Sequence, residues 1–300
     1  VLTFGLQVQR KNLARDAQRG RSEMKKKIIL AAFAAFALAC TAVAQAGGLH
    51  LRSHAALIMD AQNGRVLFGK NPDNVMPIAS ITKLMTAIVV LDAKLPLNEE
   101  IVIEYADVDI LKNTRSRLRI GTSLSRYDLL RLALMSSENR AAAALGRAYP
   151  GGIDAFVEAM NNKAFELGMG NSYFVDPTGL NRKNVSTARD LAKLVEAAED
   201  YDLIREFSTT AAHEVEFGEE ERSLQFVNSN NLVSSSNWEI GVSKTGFLSE
   251  AGRCLVMQAK ITGRPIIIVL LDSAGKKSRI GDANRIKKWM ETGFARKVRG

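Results

Sequence analysis

The stretch "WEIGVSKTGFLSEAGRCLVMQAKITGRPIIIVLLDS", residues 238–273, sets three apolar, β-branched runs end to end with short polar turns between them. Runs of this length with turn residues at their borders read as successive strands, not as one amphipathic helix. Upstream, "HEVEF" and "SLQFVNSN" extend the same β pattern back to about residue 210, and "DANRIKKWMETG" at 282–293 reads as a closing helix. At the other end, "SHAALIMDAQNGRVLFGKN" (53–71) reads as two strands, with Asn63-Gly64 suited to the positive φ values of a tight hairpin turn. β structure therefore lies at both ends of the folded region.

Between those ends the pattern is helical. "PIASITKLMTAIVVLDA" (77–93) predicts a helix from about Ser80 to Lys94, stopped before Leu95-Pro96 because the residue preceding proline is pushed out of helical geometry. "SLSRYDLLRLALMSSENRAAAALGRAY" (123–149) predicts two helices around a polar break at 136–139, and two more amphipathic helices follow near 153–167 and 187–200. Residues 98–123 are polar and mixed, and "FVDPTGLNRKNV" reads as a structural loop. A chain that starts in a sheet, makes a helical excursion and returns to that sheet is an α+β fold: an antiparallel sheet from both chain ends, flanked by helices, with an inserted all-helical part and a groove.

The 300 residues are 46% hydrophobic and 24% charged, enough to bury a large core. The formal charge of +9 suggests an anionic partner until its distribution is inspected. Residues 1–46 hold eight Lys/Arg against two Asp/Glu, leaving 33 basic and 30 acidic residues beyond them, a net of +3. Nucleic-acid binding loses its main argument. From Met24, "MKKKIILAAFAAFALACTAVAQA" has the basic start, apolar stretch and small-residue exit of a secretory signal peptide, with cleavage expected after Ala46. Residues 1–23 read as an over-extended start, 24–46 as the signal peptide and 47–300 as the mature domain, expected in the periplasm. Cys40 in "ALAC" is the alternative, a lipid-anchored residue, for which Leu38 is poorly placed. Cys254 is then the one cysteine of the mature chain, so no intrachain disulfide is expected there, and it reads as a buried thiol.

Ser80 and Lys83 fall three residues apart at the start of the first helix, so their side chains share one face. Serine needs a base to become a nucleophile. The mature chain's histidines, His50, His54 and His213, do not accompany a nucleophile elbow, and the His50/His54 spacing suits a metal only on a helix, which that stretch is not. A lysine that is desolvated or set beside a second cation, here Lys244, has a lowered pKa and can serve instead. No metal or cofactor is implied, because nucleophile and base are both side chains.

Ser-x-x-Lys alone is a weak signal. Here Ser137-Glu138-Asn139 and Lys244-Thr245-Gly246 follow in order, and this three-part set is that of penicillin-binding proteins and class A β-lactamases. The structural alternatives are that Ser137 and Asn139 cap the following helix and that Lys244 is a solvated strand residue. Arg285, Lys287 and Lys288 read as a solvated helix face, with weak attraction to anionic wall polymers as the lesser alternative, and the Asn184-Val185-Ser186 sequon as incidental.

With "PGG" (150–152), "PTGL" (177–180), "NVSTARDL" (184–191), "KTGF" (244–247) and "AGRCLVM" (251–257), the chain resembles the low-molecular-mass penicillin-binding proteins over about residues 54–293. The likeness is nearest to the D-alanyl-D-alanine endopeptidase type of serine peptidase family S11. The resemblance implies a β-lactamase/transpeptidase-like fold. It also implies Ser80 as acylated nucleophile, Lys83 as its base and Ser137 as proton relay to the leaving amine. Asn139 would hold the substrate amide, Lys244 and Thr245 the terminal carboxylate, and Gly246 would let substrate lie along the strand. The backbone N–H groups of Ser80 and Phe247 would form the oxyanion hole.

The glutamate of a Glu-x-x-Leu-Asn loop, which class A β-lactamases use for deacylation, is missing near residue 173, and "ERSLQ" from Glu221 comes too late and lacks the Asn. Penicillin is therefore expected as a slow-leaving covalent inhibitor. The chain's stop at Gly300, without the extra β domain and amphipathic anchor of tethered carboxypeptidases, favours an endopeptidase cutting D-alanyl–diaminopimelate cross-links of peptidoglycan, with at most peripheral wall or membrane association. The alternatives are a D-alanyl-D-alanine carboxypeptidase and a non-catalytic penicillin sensor.

Overall fold

The computed structural model describes residues 49–217 and 222–298. The start site, signal peptide, Cys40 and Glu221 readings lie outside the described residues.

β1 (Ser53–Asp60) and β2 (Val66–Lys70) open the fold, and the short β3 (Met76–Pro77) leads to the central helix α1 (Thr82–Asp92). β4 (Glu100–Val102) and β5 (Ser123–Ser125) pair at the edge of the helical part, followed by α2 (Arg126–Met135), α3 (Asn139–Arg147) and α4 (Gly152–Glu166). β6 (Val185–Ser186) pairs back to β3, and α5 (Ala188–Ala198) and α6 (Asp202–Thr209) return the chain toward the sheet. β7 (Ala212–Phe217), β8 (Arg222–Val227), β9 (Glu239–Leu248), β10 (Gly252–Ile261), β11 (Arg264–Ser273) and α7 (Ser278–Val298) complete it.

The main sheet has the order β2-β1-β11-β10-β9, every neighbour antiparallel, so the two chain ends do share one sheet. Its inner strands are apolar at consecutive positions, not alternate ones, because both faces are covered. Leu57, Val269 and Leu271 pack toward the helices on one side. Ile58, Ile268 and Leu270 pack toward Ala283, Ile286 and Met290 of α7 on the other. α7 is tied down by Asp282, whose carboxylate accepts from Ser53 N at 2.8 Å and from Ser53 Oγ at 2.6 Å. Residues 82–90 of α1 are all buried, which is why that helix is apolar on every side apart from Thr82, Lys83 and Thr86.

Four expectations are corrected. β7 and β8 form a separate ribbon and do not extend the sheet; Val215 and Phe226 bury against the helical side instead. α6 is an additional helix. The β1–β2 connection is wider than a two-residue turn: Asp60 N donates to Arg65 O, and of Asn63 and Gly64 only Gly64 has positive φ (68°). α1 starts at Thr82, with Ser80 in a preceding 3₁₀ turn spanning Ala79–Ile81. Among the described residues no helix is long and apolar enough to cross a membrane.

Candidate active site

Ser80 stands in a strained turn. Ala79 before it has φ 49°, a left-handed conformation that costs a residue with a Cβ about 1 kcal/mol or more. Three contacts hold the turn. Thr82 Oγ1 donates to Ala79 O at 2.8 Å. Gly179, with φ 80°, rests on the Ala79–Ser80 peptide so closely that a Cβ there would lie 2.0 Å from Ala79 O. Gly246 of the edge strand β9 approaches from elsewhere, where a Cβ would lie 2.9 Å from Ile78 O and 3.2 Å from Ser80 N. Two glycines thus flank the segment carrying the serine.

Lys83, one turn on, is 0% exposed. Its Nζ donates to Ser80 Oγ at 3.0 Å, to Asn139 Oδ1 at 2.8 Å and to Thr178 O at 2.6 Å. Burial pulls its pKa down to about 7, against the opposing carboxylates of Asp176, Glu138 and Asp109. Of the two expected causes, desolvation and a second cation, loss of water is the main one. An amine near neutrality beside a serine hydroxyl can take its proton.

Asn139 reaches Lys83 because α2 and α3 are broken at 136–138. Ser136 N closes α2 on Leu132 O at 3.2 Å, Ser137 takes φ 63°, and Glu138 caps α3 by accepting from Arg140 N at 3.2 Å. Neither Ser137 nor Asn139 is the cap. Asn139 is free to aim its amide inward, Oδ1 on Lys83 and Nδ2 donating to Thr114 Oγ1 at 2.9 Å. Ser137 sits half-buried on the strained residue, and no hydrogen bond joins its Oγ to Ser80, Lys83 or Lys244 among the described residues.

Lys244 on β9 is buried, not solvated, and its Nζ donates to Thr245 O at 3.1 Å. Burial, then the nearby charges of Lys83 and Arg279, hold its pKa well below the usual lysine range. Thr245 Oγ1 donates to Ser229 Oγ at 2.7 Å. Phe247 is exposed, with the Arg253 guanidinium over its ring at 4.3 Å from the centroid. Because β9 is an edge strand, one side of its backbone is left open beside Ser80.

Several neighbours of the site were not singled out from sequence. The "DPTGL" loop, read as purely structural, supplies both Thr178 O and Gly179. Asp176 knots that loop by accepting from Thr178 N at 2.7 Å, Gly179 N at 2.7 Å and Asn181 N at 3.0 Å. Asn184 of the sequon is buried, and its Nδ2 donates to Asp176 Oδ2 at 2.9 Å. Arg279 of α7 donates to Gly246 O at 2.8 Å and Cys254 O at 3.2 Å, placing a second, half-buried cation behind β9. His213 is remote from this chemistry and packs against Arg131.

The family model for D-alanyl-D-alanine carboxypeptidase, peptidase S11, matches residues 40–275. The chain is 51% identical over 243 residues to a D-alanyl-D-alanine endopeptidase of Pseudomonas aeruginosa, covering 81% of this chain and 78% of that protein. It is 48% identical over 262 residues to the D-alanyl-D-alanine endopeptidase of Escherichia coli, covering 87% and 84%. The crystal structure of a Streptomyces DD-transpeptidase superposes with a TM-score of 0.75 at 30% identity, covering 82% of this chain and 98% of that one. These findings and the pairing of Ser80 with the buried Lys83 agree: the chain belongs to the peptidase S11 family of D-alanyl-D-alanine carboxypeptidases and endopeptidases.

Proposed function

We propose that the protein is a serine DD-endopeptidase that cleaves D-alanyl–diaminopimelate cross-links in peptidoglycan and is acylated by penicillin. The observation that carries this reading is Lys83, fully buried, 3.0 Å from Ser80 Oγ and with a pKa of about 7. Thr178 O and Asn139 Oδ1 can only accept hydrogen bonds, so a neutral Lys83 spends both its N–H groups on them. Its lone pair then faces the Ser80 hydroxyl.

In this reading Ser80 Oγ attacks the D-alanyl carbonyl carbon as its proton passes to Lys83. The backbone N–H groups of Ser80 and Phe247 take the oxyanion. The C–N bond breaks, the amine leaves with a proton relayed through Ser137, and water later hydrolyses the acyl-serine. Lys244, with Arg279 behind it, makes the β9 side positive, which suits the carboxylate next to the leaving amine. Thr245 binds that carboxylate and Gly246 lets the substrate backbone lie along the edge strand. Asn139 holds the substrate amide through Nδ2.

Residues 24–46 are read as a cleaved secretion signal, and 47–300 as the peptidase domain at work in the periplasm with at most peripheral wall or membrane association. The second reading is a D-alanyl-D-alanine carboxypeptidase, favoured by the family description and by relatives such as the carboxypeptidase DacC of Escherichia coli, 30% identical over 268 residues. The test incubates the protein from Gly47 with a purified cross-linked dimer and, in parallel, a pentapeptide monomer. Conversion of dimer to monomers, blocked by penicillin and by Ser80→Ala, supports the endopeptidase. Release of D-alanine with the dimer intact supports the carboxypeptidase.

A further inference from the structure

Residues 109–117 form a strap without regular structure whose centre touches Asn139. The strap is organised by one carboxylate. Asp109 Oδ1 accepts from the backbone N–H groups of Leu111 and Lys112, both at 2.9 Å, and Oδ2 accepts from Thr114 N at 2.9 Å and Thr114 Oγ1 at 2.7 Å. Partial burial alone would raise the Asp109 pKa, but the Thr114 hydroxyl and these N–H donors outweigh it and hold the group ionised. The far side of the strap is anchored twice: Lys112 pairs with Glu250 at the β9–β10 turn, and Arg117 donates to Gln225 O at 2.7 Å while lying over the Phe226 ring at 4.0 Å.

Donor and acceptor roles now follow from one end. An ionised Asp109 only accepts, so the Thr114 hydroxyl proton must point at it. Thr114 Oγ1 is then an acceptor for Asn139, and the group facing it must be the amide's NH₂. That places Asn139 Oδ1, not Nδ2, on Lys83. Lys83 must spend an N–H there, and another on Thr178 O, which leaves Ser80 as the partner of its lone pair. One Nδ2 hydrogen is committed to Thr114 and the other remains for a substrate carbonyl.

We infer that Thr114, oriented by Asp109, is a positioning residue that fixes the polarity of the Asn139 amide and thereby keeps the basic face of Lys83 on Ser80. This rests on the proposed roles of Ser80, Lys83 and Asn139. Without the Thr114 hydroxyl the amide can turn over, presenting a donor to Lys83 that takes up the lone pair Ser80 needs and disfavours the ammonium form. The groups facing Lys83 from the surrounding elements are Asp109 on the strap, Glu138 before α3, Asp176 on the 176–180 loop and Lys244 on β9.

The test is the rate constant for Ser80 acylation by a fluorescent penicillin, measured against pH, for the wild type, Thr114→Val and Thr114→Ser, with thermal unfolding of each. Valine keeps the shape and the backbone bonds of the strap. Serine restores the hydroxyl. The expected result is a fall of about tenfold or more for Thr114→Val with an acid limb moved to lower pH, and recovery to within about threefold for Thr114→Ser, all three unfolding at similar temperatures. Wild-type rates and an unmoved acid limb in Thr114→Val overturn the inference, as does a Thr114→Ser variant as slow as the valine one. Absence of labelling in the wild type, or labelling that survives Ser80→Ala, instead overturns the underlying catalytic reading.

Discussion

Gly179 lies against the peptide that joins Ala79 to Ser80, with room for a hydrogen and none for a methyl group: the nearest backbone oxygen is 2.0 Å from where a Cβ would stand. Backbone cannot swing aside as a side-chain tip does, so Gly179→Ala must push the serine segment. The substitution also places a Cβ at φ 80°, worth about 1 kcal/mol on its own. A displacement near 1 Å at a reacting atom costs about 100-fold in rate. Penicillin labelling of Gly179→Ala should slow by about that factor, with a lower unfolding temperature; labelling at the wild-type rate would show that the contact is yielding.

The pH dependence of acylation follows from Lys83. A base must be unprotonated to act, and burial sets its pKa at about 7, so the acylation rate should climb with pH and level off above that value. Lys83→Arg keeps the charge but cannot release its proton, and should lose about 10²–10⁴-fold across the whole range. A flat profile through neutrality in the wild type would contradict the assignment of Lys83 as base.

Lys244 carries a cost in stability. Its pKa is lower folded than unfolded, so between the folded value and the unfolded value of 10.5 the unfolded chain binds a proton that the native state does not. Stability therefore rises with pH over that window. Lys244→Met removes the buried amine, leaving only the Thr245 O contact unmade, and should stabilise the protein near neutrality. Melts at several pH values would check it: the variant should start higher and rise less with pH, while losing acylation activity.

Cys254 is 0% exposed and burial pushes its pKa up to about 11. Native protein should resist iodoacetamide at neutral pH, and the thiol should react once the chain is unfolded. Rapid modification of the folded protein, followed by mass spectrometry, would show that β10 opens far more readily than its packing implies.

Some of this architecture was readable before any coordinates. The strands from 239 to 273 were plain because both faces of the sheet are covered, so burial wrote an unbroken apolar signal into β11. Ser80 and Lys83 were legible because i, i+3 spacing alone puts two side chains together. β7 and β8 looked equally strand-like, but a local pattern does not reveal which strand will be the partner. Thr178 acts through its carbonyl oxygen, a group every residue has, so its identity carried no signal. The strap at 109–117 was illegible for a related reason: its order comes from one carboxylate gathering backbone N–H groups, not from periodicity.

The grip of Gly179 and Gly246 on the serine segment spans distant parts of the chain, and β1 cannot settle until β11 pairs with it. A polypeptide emerging with its N-terminus first presents Ser80 and Lys83 early but lacks the jaws that shape them. Catalytic competence therefore arrives only after the last strands have docked. A chain that stops short of the last strands therefore lacks the contacts that shape the serine segment.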